Sequence, residues 1–254
     1  MNSLELVPLT GLPLIAAGDD LTERIASALA LNGIGPRAGD VLVVAQKIVS
    51  KAEGRLIDLA TIKPSARAVA LAAEVDKDPR LVEVILSESV RVVRARRGVL
   101  IVEHRLGFIM ANAGVDQSNV GPPDGSQRVL LLPENPDGSA EALRRGLAAR
   151  TGIDIPVVIN DSFGRPWRKG TAGVAIGAAG LPALIDLRGR PDLFGRKLEF
   201  SIIGFADEIA AAGSLLMGQA DEALPAVLIR GLRWSAPESP AASIVRSANE
   251  DLFR

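Results

Sequence analysis

The run Val157-Val158-Ile159-Asn160-Asp161-Ser162-Phe163-Gly164-Arg165-Pro166-Trp167-Arg168-Lys169-Gly170 changes character after its third residue. Three β-branched apolar residues read as the end of a buried strand. An adjacent Asp and Ser then sit at the strand tip, and three cations follow at Arg165, Arg168 and Lys169. Carboxylate and hydroxyl are hard oxygen donors of the kind Mg²⁺ or Mn²⁺ accepts. The cations beyond them suit a phosphate or carboxylate substrate. A surface turn with a solvated basic face would also hold the cations, but it gives no reason for the Asp and Ser to precede them. A metal-assisted phosphate site uses every group.

A second buried strand is read upstream. Gly39-Asp40 turns the chain into Val41-Leu42-Val43-Val44-Ala45, a continuous apolar run expected to be covered on both faces. Its tip delivers Gln46-Lys47 and the loop-like run Ser50-Lys51-Ala52-Glu53-Gly54-Arg55. The chain has six lysines against 23 arginines, so two lysines at one strand tip are either a solvated loop or a contact for phosphate or carboxylate. Between these strands, residues 111–121 form a long polar loop containing Asp116, a second hard-oxygen candidate.

The remaining pattern alternates strand and helix signals. Residues 4–9 read as a strand and Gly11-Leu12-Pro13 as a tight turn. A helix over 21–30 opens with a capping-box-like Asp20/Glu23 pair and stops at Asn32-Gly33. Helices are expected over 64–76, with Pro in the first turn, over 79–89, over 140–150 with Ser139 as cap, and over 206–217. Residues 90–95, 99–102 and 106–110 read as an antiparallel meander with His104 exposed at a turn. Further strands are expected over 129–132, 171–176, 198–203 and 225–229, and an amphipathic end over 243–253. There is no repeat or linker, so residues 1–254 read as one continuous unit.

Composition narrows the chemistry. Of 254 residues 48% are hydrophobic, enough for a sizeable core. A net charge of −1 argues against nucleic-acid or membrane-surface binding. The absence of Cys and the single His exclude thiolate sites, HExxH and Cys nucleophiles, so any metal must be held mainly by oxygen. Neither GxGxxG nor a Walker A loop is present. The start of the chain lacks a signal-peptide pattern and no apolar run approaches a membrane span, so a soluble cytoplasmic protein is expected.

Several motifs together resemble the coenzyme F420:L-glutamate ligases, also called F420-0 gamma-glutamyl ligases. They are Gly11-Leu12-Pro13-Leu14, the run from Gln46 to Arg55, Ala113-Gly114-Val115-Asp116-Gln117-Ser118-Asn119, Asn160-Asp161-Ser162-Phe163-Gly164-Arg165 and Ala206-Asp207-Glu208-Ile209-Ala210. The resemblance implies joining of L-glutamate to the lactyl-phosphate end of the deazaflavin precursor F420-0, with GTP as co-substrate and Mg²⁺ or Mn²⁺. A monovalent cation is a further candidate. It implies an α+β fold of two lobes with mixed sheets, forming an intertwined homodimer. Gly11, Leu12, Pro13, Leu14, Gln46, Lys51 and Asn119 would contact the guanine nucleotide. So would the segment Met217-Gly218-Gln219-Ala220-Asp221-Glu222-Ala223-Leu224. Asp116 and Asp161 would hold the metal ions, with Ser162 on a second ion. Gln219 stands where archaeal relatives carry a Glu ligand, so a neutral amide would replace a carboxylate. Lys51, Arg165 and Arg168 are the candidates for electrostatic stabilisation in catalysis. The nitroreductase-like domain that some bacterial relatives carry is not expected in this chain. A metal-dependent phosphohydrolase or a non-catalytic nucleotide-binding protein would use the same Asp116/Asp161 pair.

Overall fold

Val41, Leu42, Val43 and Val44 are fully excluded from solvent, so the strand they form needs a layer on each face. In the computed structural model, which describes residues 3–121 and 126–251, the elements follow in chain order. They begin with β1 (Glu5–Pro8), α1 (Leu21–Leu31), β2 (Val41–Ala45), α2 (Gln46–Ala52), β3 (Leu56–Asp58), α3 (Ala66–Val75) and α4 (Pro79–Ser87). Next come β4 (Ser89–Arg96), β5 (Val99–His104), β6 (Ile109–Ala111), β7 (Arg128–Leu130) and α5 (Pro136–Thr151). Then follow β8 (Val157–Arg165), β9 (Arg168–Ala179), β10 (Ile185–Asp186), β11 (Ile202–Ile203), α6 (Phe205–Met217) and β12 (Ala226–Arg230).

The main sheet has the order β1-β12-β2-β8-β9. Strands β2 and β8 run parallel, with Leu42 beside Val157 and Ala45 beside Asn160. The other three pairings are antiparallel. Because side chains alternate along a strand, Leu42 and Val44 share one core with Ile25 and Leu29 of α1 and Leu143 and Leu147 of α5. Val41 and Val43 share the opposite core with Ile209 and Ala210 of α6. A third core joins α3 and α4 to the sheet β4-β5-β6 and the pair β3-β7, through Val75, Ile85, Leu100, Val102 and Val129. The fold is thus a mixed α+β arrangement of several sheets. Among the described residues no helix is long and apolar enough to cross a membrane.

Several elements differ from the sequence expectation, each for a local reason. Strand β8 does not end at Ile159. It continues through Asp161 and Ser162 to Arg165, paired with β9, so the expected strand tip is the middle of a hairpin arm. Gln46 and Lys47 open helix α2 rather than a loop, and Ser50 Oγ donates to the buried Gln46 Oε1 at 2.8 Å. Helix α5 begins at Pro136. Asn135, not Ser139, is its cap, accepting from Gly138 N at 3.1 Å, while Ser139 N donates to Asn135 O within the helix. Pro64 lies before the cap Ser65 rather than in the first turn of α3. The strand expected over 198–203 contracts to β11. Of the amphipathic end over 243–253, only a short 3₁₀ turn, Ala241–Ile244, appears, and residues 252–254 lie outside the described ones.

His104 is buried, not exposed. Its Nδ1 accepts from Leu106 N at 3.0 Å and its Nε2 lies 3.5 Å from Glu88 Oε2. Glu88 also binds Arg55 at 3.0 Å and Arg105 at 3.1 Å. Burial pushes the Glu88 carboxyl up, but the His104 bond and the two guanidiniums outweigh it and hold it at about 2. A buried His next to a compensated carboxylate cannot be told from a surface turn by sequence alone.

Strand β9 lies at the edge of the sheet, and a side chain rather than a partner strand covers part of it. Asp137 Oδ1 accepts from Ala178 N and from Ala241 N, both at 2.8 Å, and Oδ2 accepts from Ala242 N at 3.2 Å. One carboxylate therefore fastens residues 241–242 to the sheet edge. Asp137→Ala is expected to cost about 2 kcal/mol, the penalty of stranding half-buried N–H groups. Denaturant melts would measure the loss, and early proteolysis within residues 241–251 would locate it.

Candidate active site

The parallel pairing of β2 and β8 sends both carboxyl ends to the same side of the sheet, where ligands of open α/β sheets collect. Helix α2 leaves the end of β2 and carries Lys47 and Lys51 one turn apart on one face. Asp161 and Ser162 follow Asn160, the last residue of β8 paired with β2. Ser162 N donates to Asp161 Oδ1 at 2.8 Å. Asn160 is buried and anchors the strand to α6, its Nδ2 donating to Ser214 Oγ at 2.9 Å and lying 3.4 Å from Met217 Sδ.

Asp116 arrives from the other layer. Three consecutive residues, Asn112, Ala113 and Gly114, have φ of 53°, 54° and 67°, an unusual left-handed turn that only Gly adopts without strain. Beyond it, Asp116 N donates to Leu130 O at 3.0 Å and Leu130 N donates to Asp116 O at 2.8 Å. This backbone bridge to β7 fixes the residue. Its carboxylate accepts from Ser118 N at 2.7 Å and pairs with Lys47 Nζ at 2.6 Å. Lys47 Nζ also donates to Ser118 Oγ at 2.7 Å and to Ser118 O at 3.0 Å. Lys51 Nζ donates to Asn119 O at 2.6 Å. Asn119, itself left-handed, donates from Nδ2 to Ala220 O at 2.8 Å and so draws in the loop after α6.

Burial and neighbouring charges together set the protonation of these groups. Burial pushes the Asp161 carboxyl up to about 7, reinforced by the neighbouring negative charge of Asp116 and opposed by the Ser162 N–H and Lys47. Burial also raises the Asp116 carboxyl, but the Lys47 and Ser118 bonds prevail and hold it below its ordinary value. Lys51 is shifted down by burial and by Lys47. Two carboxylates facing each other, one poorly neutralised, form a donor set that fits a divalent cation. Among the described residues no three His, Cys, Asp or Glu side chains converge. A metal held by Asp116, Asp161 and Ser162 would thus complete its shell with phosphate oxygens and water.

The structure gathers some of the expected site residues and separates others. Asp116, Asp161, Ser162, Lys51 and Asn119 meet at the ends of β2 and β8. Gly218, Gln219, Ala220, Asp221, Glu222, Ala223 and Leu224 form the loop that Asn119 binds. Gln219 is exposed, whereas the preceding Met217 is buried. Glu222 folds back to accept from Ala220 N at 2.8 Å. Gln46 is buried with its oxygen occupied by Ser50, so its side chain serves α2. Gly11, Leu12, Pro13 and Leu14 lie on the segment leading from β1 past the far end of α2, where Gly18 N donates to Ala52 O at 2.9 Å. Leu14 is almost fully exposed. Arg165 and Arg168 face each other across the turn of the β8–β9 hairpin. Arg165 is four residues beyond Asp161, roughly 13 Å along an extended strand. They and Lys169 make no ion pair among the described residues. Within this chain these three do not reach the aspartates. The pairing of Lys47 with Asp116 was missed in the sequence. The signal for it was the scarcity of lysine, which marked Lys47 without naming its partner.

Residues 11–231 match the family described as F420-0:Gamma-glutamyl ligase. A coenzyme F420:L-glutamate ligase of Methanothermobacter thermautotrophicus is 47% identical over 253 residues, covering 99% of each chain. The protein of that name from Methanopyrus kandleri is 47% identical over 262 residues, covering both chains completely. That from Archaeoglobus fulgidus is 44% identical over 251 residues, with 99% of this chain and 96% of the relative covered.

Proposed function

The chain belongs to the F420-0:gamma-glutamyl ligase family, and we propose from that membership and the site geometry that it joins L-glutamate to coenzyme F420-0 at the expense of GTP. The observation that carries the site assignment is the Asp116–Asp161 pair at the carboxyl ends of β2 and β8, with Lys47 and Lys51 beside it. The reaction belongs to coenzyme F420 biosynthesis.

Forming an amide from a carboxylate in water is uphill, so the carboxylate is activated. Attack of the acceptor's carboxylate oxygen on the γ-phosphorus of GTP breaks the bond to the β-bridging oxygen, giving an acyl phosphate and GDP. The glutamate amine then attacks the acyl carbon, phosphate leaves, and the amine loses a proton. A divalent ion, Mg²⁺ or Mn²⁺, supplies electrophilic polarisation of phosphate oxygens when bound. In this chain Asp116 and Asp161 would hold it, with Ser162 as a neutral oxygen donor and Gln219 within the adjoining loop. Lys51, fixed on the Asn119 carbonyl, sets positive charge at the rim where phosphates would lie. The segments 11–14 and 217–224 are the proposed nucleotide contacts, and Asn119 joins the second of them to the aspartates.

We also infer that the chain works as a two-lobed subunit of a homodimer. Trp167 at the hairpin turn is 89% exposed, and Leu193, Phe194 and Phe200 on the β10–β11 connection are 86–98% exposed. Large apolar side chains left this exposed mark a surface that a second copy can cover. A second copy receiving the hairpin would bring Arg165 and Arg168 to a site other than their own.

The test is product formation. Purified protein with F420-0, glutamate, GTP and Mn²⁺ is expected to yield, by mass spectrometry, the acceptor plus glutamate. Phosphate release should require both acceptor and glutamate, and GTP should be used far better than ATP. Phosphate release from GTP alone would favour a phosphohydrolase, and equal use of ATP would refute the base preference.

A further inference from the structure

The Lys47 ammonium sits among three oxygens, Asp116 Oδ2 at 2.6 Å, Ser118 Oγ at 2.7 Å and Ser118 O at 3.0 Å. That arrangement is a coordination shell in miniature, with a side-chain cation at its centre. Asp161, by contrast, accepts a hydrogen bond from the Ser162 N–H and forms no ion pair among the described residues. We propose that Lys47 is a resident counter-cation in the Asp116 seat, and that a divalent ion enters by exchanging with it. The proposal rests on the assignment of Asp116 and Asp161 as metal holders.

Charge and reach both favour exchange. Two cations cannot share one carboxylate face without strong repulsion, which grows as water is excluded. Lys47 is only partly buried, its side chain 27% exposed, and it hangs on a flexible four-carbon stem. Leaving Asp116 therefore costs little packing. Before exchange, Lys47 offsets one of the two carboxylates. Afterwards the metal offsets both and Lys47 is released as a free positive charge beside the arriving phosphates. Lys51 does not share this behaviour, since its contact is a backbone carbonyl rather than a carboxylate. The mechanism would keep the aspartate loop ordered while empty and would couple metal arrival to the appearance of a phosphate-binding cation.

Mn²⁺ binding to the nucleotide-free protein, followed by electron paramagnetic resonance, tests this without turnover. Lys47→Met is expected to bind Mn²⁺ at least about tenfold more tightly than wild type, because a competing unit charge is gone. Lys47→Arg, which keeps the charge, should not show the gain. A second measurement uses wild-type protein alone. Acetylation of Lys47 by acetic anhydride, read by mass spectrometry, should rise on adding Mn²⁺, while Lys63 and Lys77 stay constant. Equal or weaker Mn²⁺ binding in Lys47→Met, or Lys47 labelling that does not rise with metal, would overturn the exchange. If Mn²⁺ binding is nonetheless lost in Asp161→Asn, Lys47 is a fixed staple of the loop and the ligase reading stands. If Asp161→Asn binds Mn²⁺ as wild type does, the metal assignment fails and the exchange fails with it.

Discussion

An Asp161→Asn variant is expected to lose about a thousandfold in metal-dependent turnover, equivalent to about 4 kcal/mol of transition-state stabilisation. The same variant should be more stable than wild type when metal-free. The first effect follows from removing a charged metal ligand, and the second from burial, which with help from Asp116 pushes this carboxyl up to about 7. Its folded value lies above the unfolded one near 3.8. Its contribution to stability is therefore fully present below pH 3.8 and is lost as pH rises through about 7. An amide carries no charge to desolvate. At pH 8 the variant should gain on the order of 2 kcal/mol over wild type, with a much smaller gain at pH 5. Denaturant melts at the two pH values, without metal, measure this. Turnover close to wild type at saturating Mn²⁺ would remove Asp161 from the metal site.

The second large effect is on packing. Gly177→Ala is expected to destabilise the chain by about 3 kcal/mol, at the upper end for inserting one methyl into a filled site. A Cβ there would lie 2.6 Å from the carbonyl carbon of Pro136, in the first turn of α5. Backbone cannot rotate away as a side chain can, so the helix would have to lift from β9. Gly173 poses the same problem on the opposite layer, its Cβ falling 2.7 Å from the carbonyl oxygen of Ala210 in α6. A thermal or denaturant melt of Gly177→Ala that matches wild type would show that α5 can shift freely.

Much of the main sheet was legible because its strands are buried on both faces. Val41 to Val44 and Val157 to Ile159 can only be core, and their apolar runs say so. Asp116, Asp161 and Ser162 were legible as hard oxygen donors, one in a long polar loop and two just after a buried apolar run. The extent of β8 was not. Asn160, Asp161 and Ser162 look like the end of a strand by propensity, yet pairing with Ala175, Val174 and Gly173 carries it onward. The start of α5 was hidden because Asn135 and Ser139 are both good caps, and only the Pro136 geometry decides between them. Lys47, Ser118 and Asp116 converge through tertiary structure, which no local pattern encodes. The same holds for the distance that keeps Arg165 and Arg168 from the aspartates.

The bond from Asn119 to Ala220 joins positions 101 residues apart, and β2 pairs with β8 across a similarly long stretch. Such contacts raise contact order, and each requires a large loop to be closed before it rewards the chain. Helices and the local β4–β5–β6 meander need no such closure. On refolding, helical signal should therefore return before metal-dependent activity does. In a chain emerging from the ribosome, both aspartates would already exist while the segment that Asn119 must grip was still being made. Catalytic competence in this fold is consequently a late property, one that waits for nearly the whole polypeptide.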